Sequence, residues 1–242
     1  MAIKRQALVT GANKGIGLAI AKGLAEAGMT VWMGARDNAR GAAAVQSLLD
    51  KGLDVRLLEI DVANDDSVRH AAETIGKEID ALHVLVNNAG IIIDPTAPPS
   101  EVRMEDAKET FEVNLFGPIR VSQAFIPLLK AAGDARVVNM GSGVGSFGLI
   151  TDPTSIYSSV NLLAYTASKI ALNAVTVSFA RELEPLGIKV NVVEPGHVQT
   201  DLNDNTGVLA PEEGAQTAIK FALLDASGPT GGFFGSHGRQ PW

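Results

Sequence analysis

QALVTGANKGIGLAIAKGLAEAGMTVWMGA, Gln6 to Ala35, is the stretch whose reading decides the fold. Gln6 to Thr10 (QALVT) is a short β-rich run, and it leads directly into T-G-A-N-K-G-I-G, Thr10 to Gly17. The following AIAKGLAEAG predicts a helix that stops at Gly28, a natural helix terminator. TVWMGA, Thr30 to Ala35, reads as a second strand. Between strand and helix, glycines let the backbone approach a pyrophosphate, and the helix N-terminus offers free N–H groups and a positive dipole end. Gly11, Asn13, Lys14, Gly15, Ile16 and Gly17 are therefore candidate phosphate contacts. The spacing is G-x-x-x-G-x-G rather than G-x-G-x-x-G, and a plain tight turn is the competing reading.

The alternation of strand and helix continues to the end of the chain. A helix is expected from about Asn38 to Lys51, a strand from Asp54 to Ile60, a helix from near Asp65, and a buried strand at Leu82 to Val86. The Pro-rich Asp94 to Ser100 reads as an exposed loop, followed by one long helix from about Glu101 to Lys130. Strands are expected at Arg136 to Met140 and Lys189 to Val193, a short helix from Pro211 to Leu224, and an edge strand at Phe233-Phe234. Asp201 to Leu209 reads as a mobile loop. No repeat or linker interrupts the pattern, so residues 1–242 are expected to form one α/β domain: a doubly wound parallel sheet with helices on both faces.

Strand ends are where such sheets bind ligands. An acidic residue closing the second strand would hold ribose hydroxyls, but the position carries Ala35, with Arg36 next and Lys14 in the facing loop. Two cations without a carboxylate favour a 2′-phosphate, and so NADP(H) over NAD(H). Asp37 argues the other way, and a solvated Arg36 is the plain reading. Asp61, followed by Val62, is read either as an acceptor for an adenine amino group or as a cap of the next helix. Asn87 to Gly90 (NNAG) leaves room for a flat ligand against the backbone. Asn114 lies in the long helix just before Gly117-Pro118, where a proline frees a carbonyl that is able to hold water, or simply kinks the helix. Ser142 sits in G-S-G at a strand tip, ahead of the apolar, hydroxyl-rich loop Val144 to Val160.

The longest unbroken helical stretch is LLAYTASKIALNAVTVSFARELE, Leu162 to Glu184. Tyr165 and Lys169 are four residues apart and lie one above the other on one face. An ammonium beside a phenol favours phenolate and lowers the tyrosine pKa, which makes a usable acid. A half-buried tyrosine near a surface lysine is the bland alternative.

Composition removes other classes of function. Hydrophobic residues make up 46% and charged residues 19%, the range of ordinary globular proteins. A net charge of −7 gives no electrostatic footprint for nucleic acid or an anionic membrane. There is no cysteine, so disulfides, thiolate metal sites and a Cys nucleophile are excluded. No His/Asp/Glu cluster has metal-ligand spacing. No apolar run approaches the roughly 18 residues that span a bilayer, and the default expectation is a cytoplasmic protein.

Taken together, T-G-x-x-x-G-x-G at Thr10, Asp61, N-N-A-G at Asn87, Asn114, Ser142, Tyr165-x-x-x-Lys169 and Pro195-Gly196 stand in the order of the short-chain dehydrogenase/reductase family, which the chain resembles over nearly its whole length. TGANKGIG, GAR ending at Arg36 and the GGFFG tail resemble its NADPH-dependent carbonyl reductase branch. The resemblance implies a Rossmann-type fold and reversible reduction of a ketone or aldehyde. It implies Tyr165 as general acid, Lys169 as the group tuning it and binding the nicotinamide ribose, and Ser142 as a hydrogen-bond partner of the substrate oxygen. Asn114 would hold a water linking Lys169 to solvent; Asn88, Ala89 and Gly90 would contact the adenosine side, and Pro195, Gly196, Val198 and Thr200 the nicotinamide side. Val144, Phe147, Tyr157 and His197 would touch a small apolar carbonyl substrate, with Leu149, Ile156 and Leu202 nearby. Family members commonly pair through the helices of Asn114 and Tyr165, so a homodimer or homotetramer is expected. The interval from Ser142 to Tyr165 is longer than in common members and shorter than in the monomeric carbonyl reductases, which leaves substrate and assembly open. A 3-oxoacyl thioester or enone reductase, or a non-catalytic NADP(H)-sensing protein, are the other readings.

Overall fold

The computed structural model describes residues 4–93 and 96–242. The expected loop at Asp94 to Ser100 begins with two residues, Asp94 and Pro95, that lie outside the described ones. Strands β1 (Gln6–Thr10), β2 (Thr30–Ala35), β3 (Val55–Glu59), β4 (Val84–Asn87), β5 (Arg136–Met140), β6 (Lys189–Val193), β7 (Phe233–Gly235) and β8 (Gly238–Arg239) form one sheet. Its order is β3-β2-β1-β4-β5-β6-β7-β8. Every pairing from β3 to β7 is parallel, and only β8 runs antiparallel, against β7.

Helices cover both faces, which is why β2 and β5 are buried at every residue. On one face α1 (Gly15–Glu26), α2 (Asn38–Leu49) and α8 (Pro211–Ala222) pack Ile20, Leu24, Leu48 and Phe221 onto Val9, Val31 and Met33. On the other, α3 (Asp65–Gly76), α5 (Gly117–Ala132) and α7 (Leu163–Leu183) pack Ile75, Phe125, Leu129 and Leu183 onto Leu8, Leu85 and Val190. Leu8 and Val9 thus serve opposite cores, as the two-residue period of a strand requires. No described helix is long and apolar enough to cross a membrane.

Three expectations are corrected. The helix from Glu101 to Lys130 is two helices, α4 (Met104–Phe111) and α5, joined by a π-turn at Glu112–Phe116. Pro118 has no N–H for the Asn114 carbonyl four residues back, and the turn widens so that the Gly117 N–H reaches Glu112 instead. The Phe233-Phe234 strand is not an edge, because β8 folds back onto it. Asp201 to Leu209 is a tied loop: Asp201–Asn203 is a short 3-10 turn, and the Gln199 N–H donates to the Leu209 carbonyl at 2.9 Å.

Beneath the strand ends runs a buried polar chain. The Asn87 side-chain amide donates to Ser122 at 3.1 Å and to Asn139 at 2.8 Å, and Asn139 donates to Thr176 at 2.8 Å. It ties β4 and β5 to α5 and α7, the elements that carry the candidate site. Replacing Asn139 with leucine leaves one Asn87 amide N–H without its acceptor, while Thr176 keeps its bond to the Leu172 carbonyl, at a cost of about 2 kcal/mol. The expected drop in melting temperature is roughly 4–8 °C; a melt unchanged from wild type would remove this chain from the account.

Candidate active site

Because β1 is flanked by β2 and β4, the chain winds outward in opposite directions from this point, and the strand C-termini leave a crevice there. The crevice is a cleft of about 660 Å³. Gly11, Asn13, Lys14, Gly15, Ile16 and Gly17 form one side of it, as the spacing predicts. At Gly17 a Cβ would stand 2.3 Å from the Gly11 carbonyl oxygen, so the tight first turn admits only glycine. No side chain caps the N-terminus of α1, which leaves its first N–H groups to an anion in the cleft. Asn88 braces the loop from below: its side-chain amide donates to the Thr10 carbonyl at 2.9 Å, while the Asn88 and Ala89 N–H groups donate to the Thr10 hydroxyl at 3.0 and 3.1 Å. Asn88, Ala89 and Gly90 all border the cleft.

At the end beside β2 and β3, Arg36, Asp61 and Val62 line the cleft together with Arg40. Asp37 is taken up locally: it caps α2, accepting from the Arg40 N–H at 3.0 Å, and pairs with the Arg40 guanidinium at 3.3 Å. Lys14 reaches across the cleft to Asp201 at 2.5 Å, an exposed pair. Asp61 does not cap α3; Asn64 does, accepting from the Ser67 N–H at 2.9 Å, while one Asp61 oxygen accepts from the Ala63 N–H at 3.0 Å. The cations and the uncapped helix N-terminus fit a dinucleotide carrying an extra phosphate.

At the other end stand the groups of α7. Tyr165 and Lys169 both line the cleft, with the Lys169 ammonium 5.5 Å from the centre of the Tyr165 ring. Lys169 is buried, and its Nζ donates to the Met140 carbonyl at the end of β5, 2.8 Å away. Burial pushes the Tyr165 hydroxyl up to about 12, against a hydrogen bond with Ser142 that pulls it down. Burial also pushes Lys169 down to about 8. In the free protein burial dominates the Tyr165 hydroxyl, and the lowering by Lys169 belongs to the mechanism proposed below. Asn114 is fully buried behind this pair. Its side chain accepts from the Ile91 N–H at 2.8 Å and donates to the Ile91 carbonyl at 2.9 Å and to Ser168 at 3.2 Å. The side chain is thus committed, and the carbonyl that Pro118 leaves free is the main-chain one.

Pro195, Thr200 and Leu202 border the cleft, but Ser142, Val144, Phe147, Tyr157, Gly196, His197 and Val198 are not part of its lining. Val198 turns its side chain inward, 2.4 Å from where a Cβ on Gly214 would stand. Gly196 and His197 are exposed, and the His197 carbonyl holds the 208–209 backbone. Val144 is buried in a 3-10 turn at Gly143–Gly145, and Phe147 is 60% exposed on the short helix α6 (Phe147–Thr151). Tyr157 lies beside Gly143 and outside the cleft lining. Ile91, Ile92, Gln199 and Asp201 do line it and were not singled out in the sequence. Only the strand ends they follow pointed to them.

A family model described as short chain dehydrogenase matches residues 5–208. Carbonyl reductase [NADPH] 1 of Mus musculus is 35% identical over 98% of this chain and 98% of its own length. The (+)-neomenthol dehydrogenase of Arabidopsis thaliana is likewise 35% identical, over 95% of each chain. Among solved structures, NADPH-bound carbonyl reductase from chicken fatty liver superposes with a TM-score of 0.87 at 28% identity, covering 99% of both chains. The glycine-rich turn, the Tyr165–Lys169 pair and these likenesses have one common explanation: the chain belongs to the short-chain dehydrogenase family, in which it resembles the carbonyl reductases.

Proposed function

We propose that this oxidoreductase reduces a ketone or aldehyde to an alcohol with NADPH, reversibly, and that Tyr165 is the general acid. The observation that carries the reading is the Tyr165 hydroxyl hydrogen-bonded to Ser142, beside a buried Lys169, at the end of a cleft whose other end gathers Lys14 and Arg36. The similarity to proteins named NADPH carbonyl reductases supports both the cofactor and the reaction.

NADPH, when bound, supplies the hydride that the carbonyl carbon receives. The protein supplies the proton and the field. Tyr165, kept in its neutral form by burial, gives its proton to the carbonyl oxygen as charge develops there. The Ser142 hydroxyl donates to the same oxygen, a stabilisation made in full only as the oxygen becomes alkoxide-like. Lys169 in its charged form stabilises the phenolate left on Tyr165. A water at the free Asn114 carbonyl passes the replacement proton from solvent. Ile91, Ile92 and Leu202 add apolar lining to the cleft, which suits an uncharged carbonyl compound.

Selectivity for the extra phosphate belongs to Lys14 and Arg36. Each charge-assisted contact is worth roughly 1.5–3 kcal/mol. Exchanging both for alanine is expected to lower the ratio of kcat/KM with NADPH to that with NADH by about 100-fold or more, read by initial rates on one ketone. A ratio that stays put would reassign the phosphate site.

A further inference from the structure

Asn173 is a buried polar side chain of α7 that the proposed reaction does not use, 6% exposed. It stands two turns beyond Tyr165 and one beyond Lys169, so the three share one face of the helix. Its Nδ2 donates to the Gly145 carbonyl at 2.8 Å, and among the described residues its Oδ1 finds no partner. Half of this amide is desolvated without compensation, which costs stability. What the other half does is hold Gly145.

Gly145 closes the 3-10 turn that follows Ser142. Its N–H donates to the Ser142 carbonyl at 2.8 Å, and the Ser146 N–H donates to the Gly143 carbonyl at 3.1 Å. The turn lies directly on α7, since a Cβ on Gly145 would stand 3.0 Å from the Lys169 Cβ. Two other ties hold the turn from elsewhere. Before it, the Gly141 N–H donates to the Val193 carbonyl at 2.8 Å, which fixes it to β6. After it, the fully buried Ser146 hydroxyl donates to the Pro241 carbonyl at 2.8 Å. Neither of these runs to the helix that carries Tyr165. The bond from Asn173 does, and it therefore bears on how Ser142 stands against the Tyr165 hydroxyl to which it is bonded.

We propose that Asn173 is a positioning residue: by holding the Gly145 carbonyl on α7 it keeps the Ser142 hydroxyl in register with the Tyr165 hydroxyl, so that both meet one substrate oxygen. The proposal rests on the reading of Tyr165 as the acid and Ser142 as its partner. Without the tie the buried Gly145 carbonyl loses its donor, and the turn gains by shifting off α7 toward water. A shift of about 1 Å is enough to cost positioned groups most of their effect.

Asn173→Leu keeps roughly the side-chain volume and removes the donor; Asn173→Ala removes it as well should the leucine variant not fold. Each is made alone and together with Ser142→Ala. One readout is kcat with NADPH and an uncharged aromatic ketone. The other is the Tyr165 Cζ signal in NMR of the free protein carrying isotope-labelled tyrosine; the chain has two tyrosines, and Tyr157→Phe assigns them. Loss of Asn173 is expected to lower kcat about tenfold or more, but less than about twofold once Ser142 is already alanine. The Tyr165 signal should move as it does in Ser142→Ala, and no further in the double variant. An unchanged kcat, the same loss in both backgrounds, a Tyr165 signal left at its wild-type position, or failure of both variants to fold overturns the proposal. The expected NMR pattern in a protein that reduces no ketone would overturn the reductase reading and leave the role of Asn173 standing.

Discussion

Tyr165→Phe is expected to lower ketone reduction by about 10³-fold or more, the upper range for loss of a positioned general acid. The variant removes one oxygen and leaves the ring over which Lys169 lies, so the cleft keeps its shape. On the proposed reading NADPH is held mainly by the glycine-rich turn, Lys14 and Arg36, so its binding should weaken by no more than about fivefold. The loss should therefore fall on kcat, as befits an interaction made chiefly in the transition state. Stopped-flow or steady-state rates with a fluorescence titration of NADPH check both halves. A variant retaining a tenth of wild-type kcat would sink Tyr165 as the acid.

Lys169→Met should separate activity from stability. Without the ammonium the Tyr165 phenolate has no nearby positive charge, and kcat is expected to fall about 10²-fold or more. Stability should move the other way. Lys169 has an ordinary pKa of 10.5 and about 8 in the fold, lowered by burial. Between pH 8 and 10.5 the unfolded chain binds the additional proton, so this group makes stability rise with pH across that window, and below pH 8 the full penalty applies. The difference corresponds to about 3 kcal/mol, against about 1.5–3 kcal/mol for the charge-assisted hydrogen bond to Met140 that methionine gives up. Thermal melts at pH 7 should then show a gain of up to about 3–6 °C, shrinking as pH approaches 10.5. A destabilised variant at pH 7 would mean that the Met140 bond outweighs desolvation. A site that costs stability where it supplies function is a common trade.

Much of this was legible in the chain itself. β1, β2, β5 and β6 begin and end where their β-rich runs do, because a parallel strand buried on both faces leaves an unbroken apolar signature between glycines and charges. The Tyr165–Lys169 pair needed only helical spacing. What escaped depends on three-dimensional surroundings. Periodicity runs unchanged through Glu112–Phe116, and only the missing N–H of Pro118 marks the π-turn. The pKa of Tyr165 follows from how deeply the hydroxyl is desolvated, which spacing does not encode. Val198 directly precedes Gln199 and Thr200, which line the cleft, yet α8 packs against it through Gly214 and draws it inward. Glu194 and Tyr157 meet across 37 residues, and the sequence offered Tyr157 as a substrate contact without the carboxylate that holds it.

The most direct measurement is the fall of absorbance at the nicotinamide band when the wild-type protein is mixed with NADPH and a panel of uncharged aromatic and aliphatic ketones, with the alcohol identified in the mixture. The account predicts alcohol formed in step with NADPH consumed, and much less with NADH. Tight NADPH binding without alcohol from any ketone or aldehyde of the panel would contradict it.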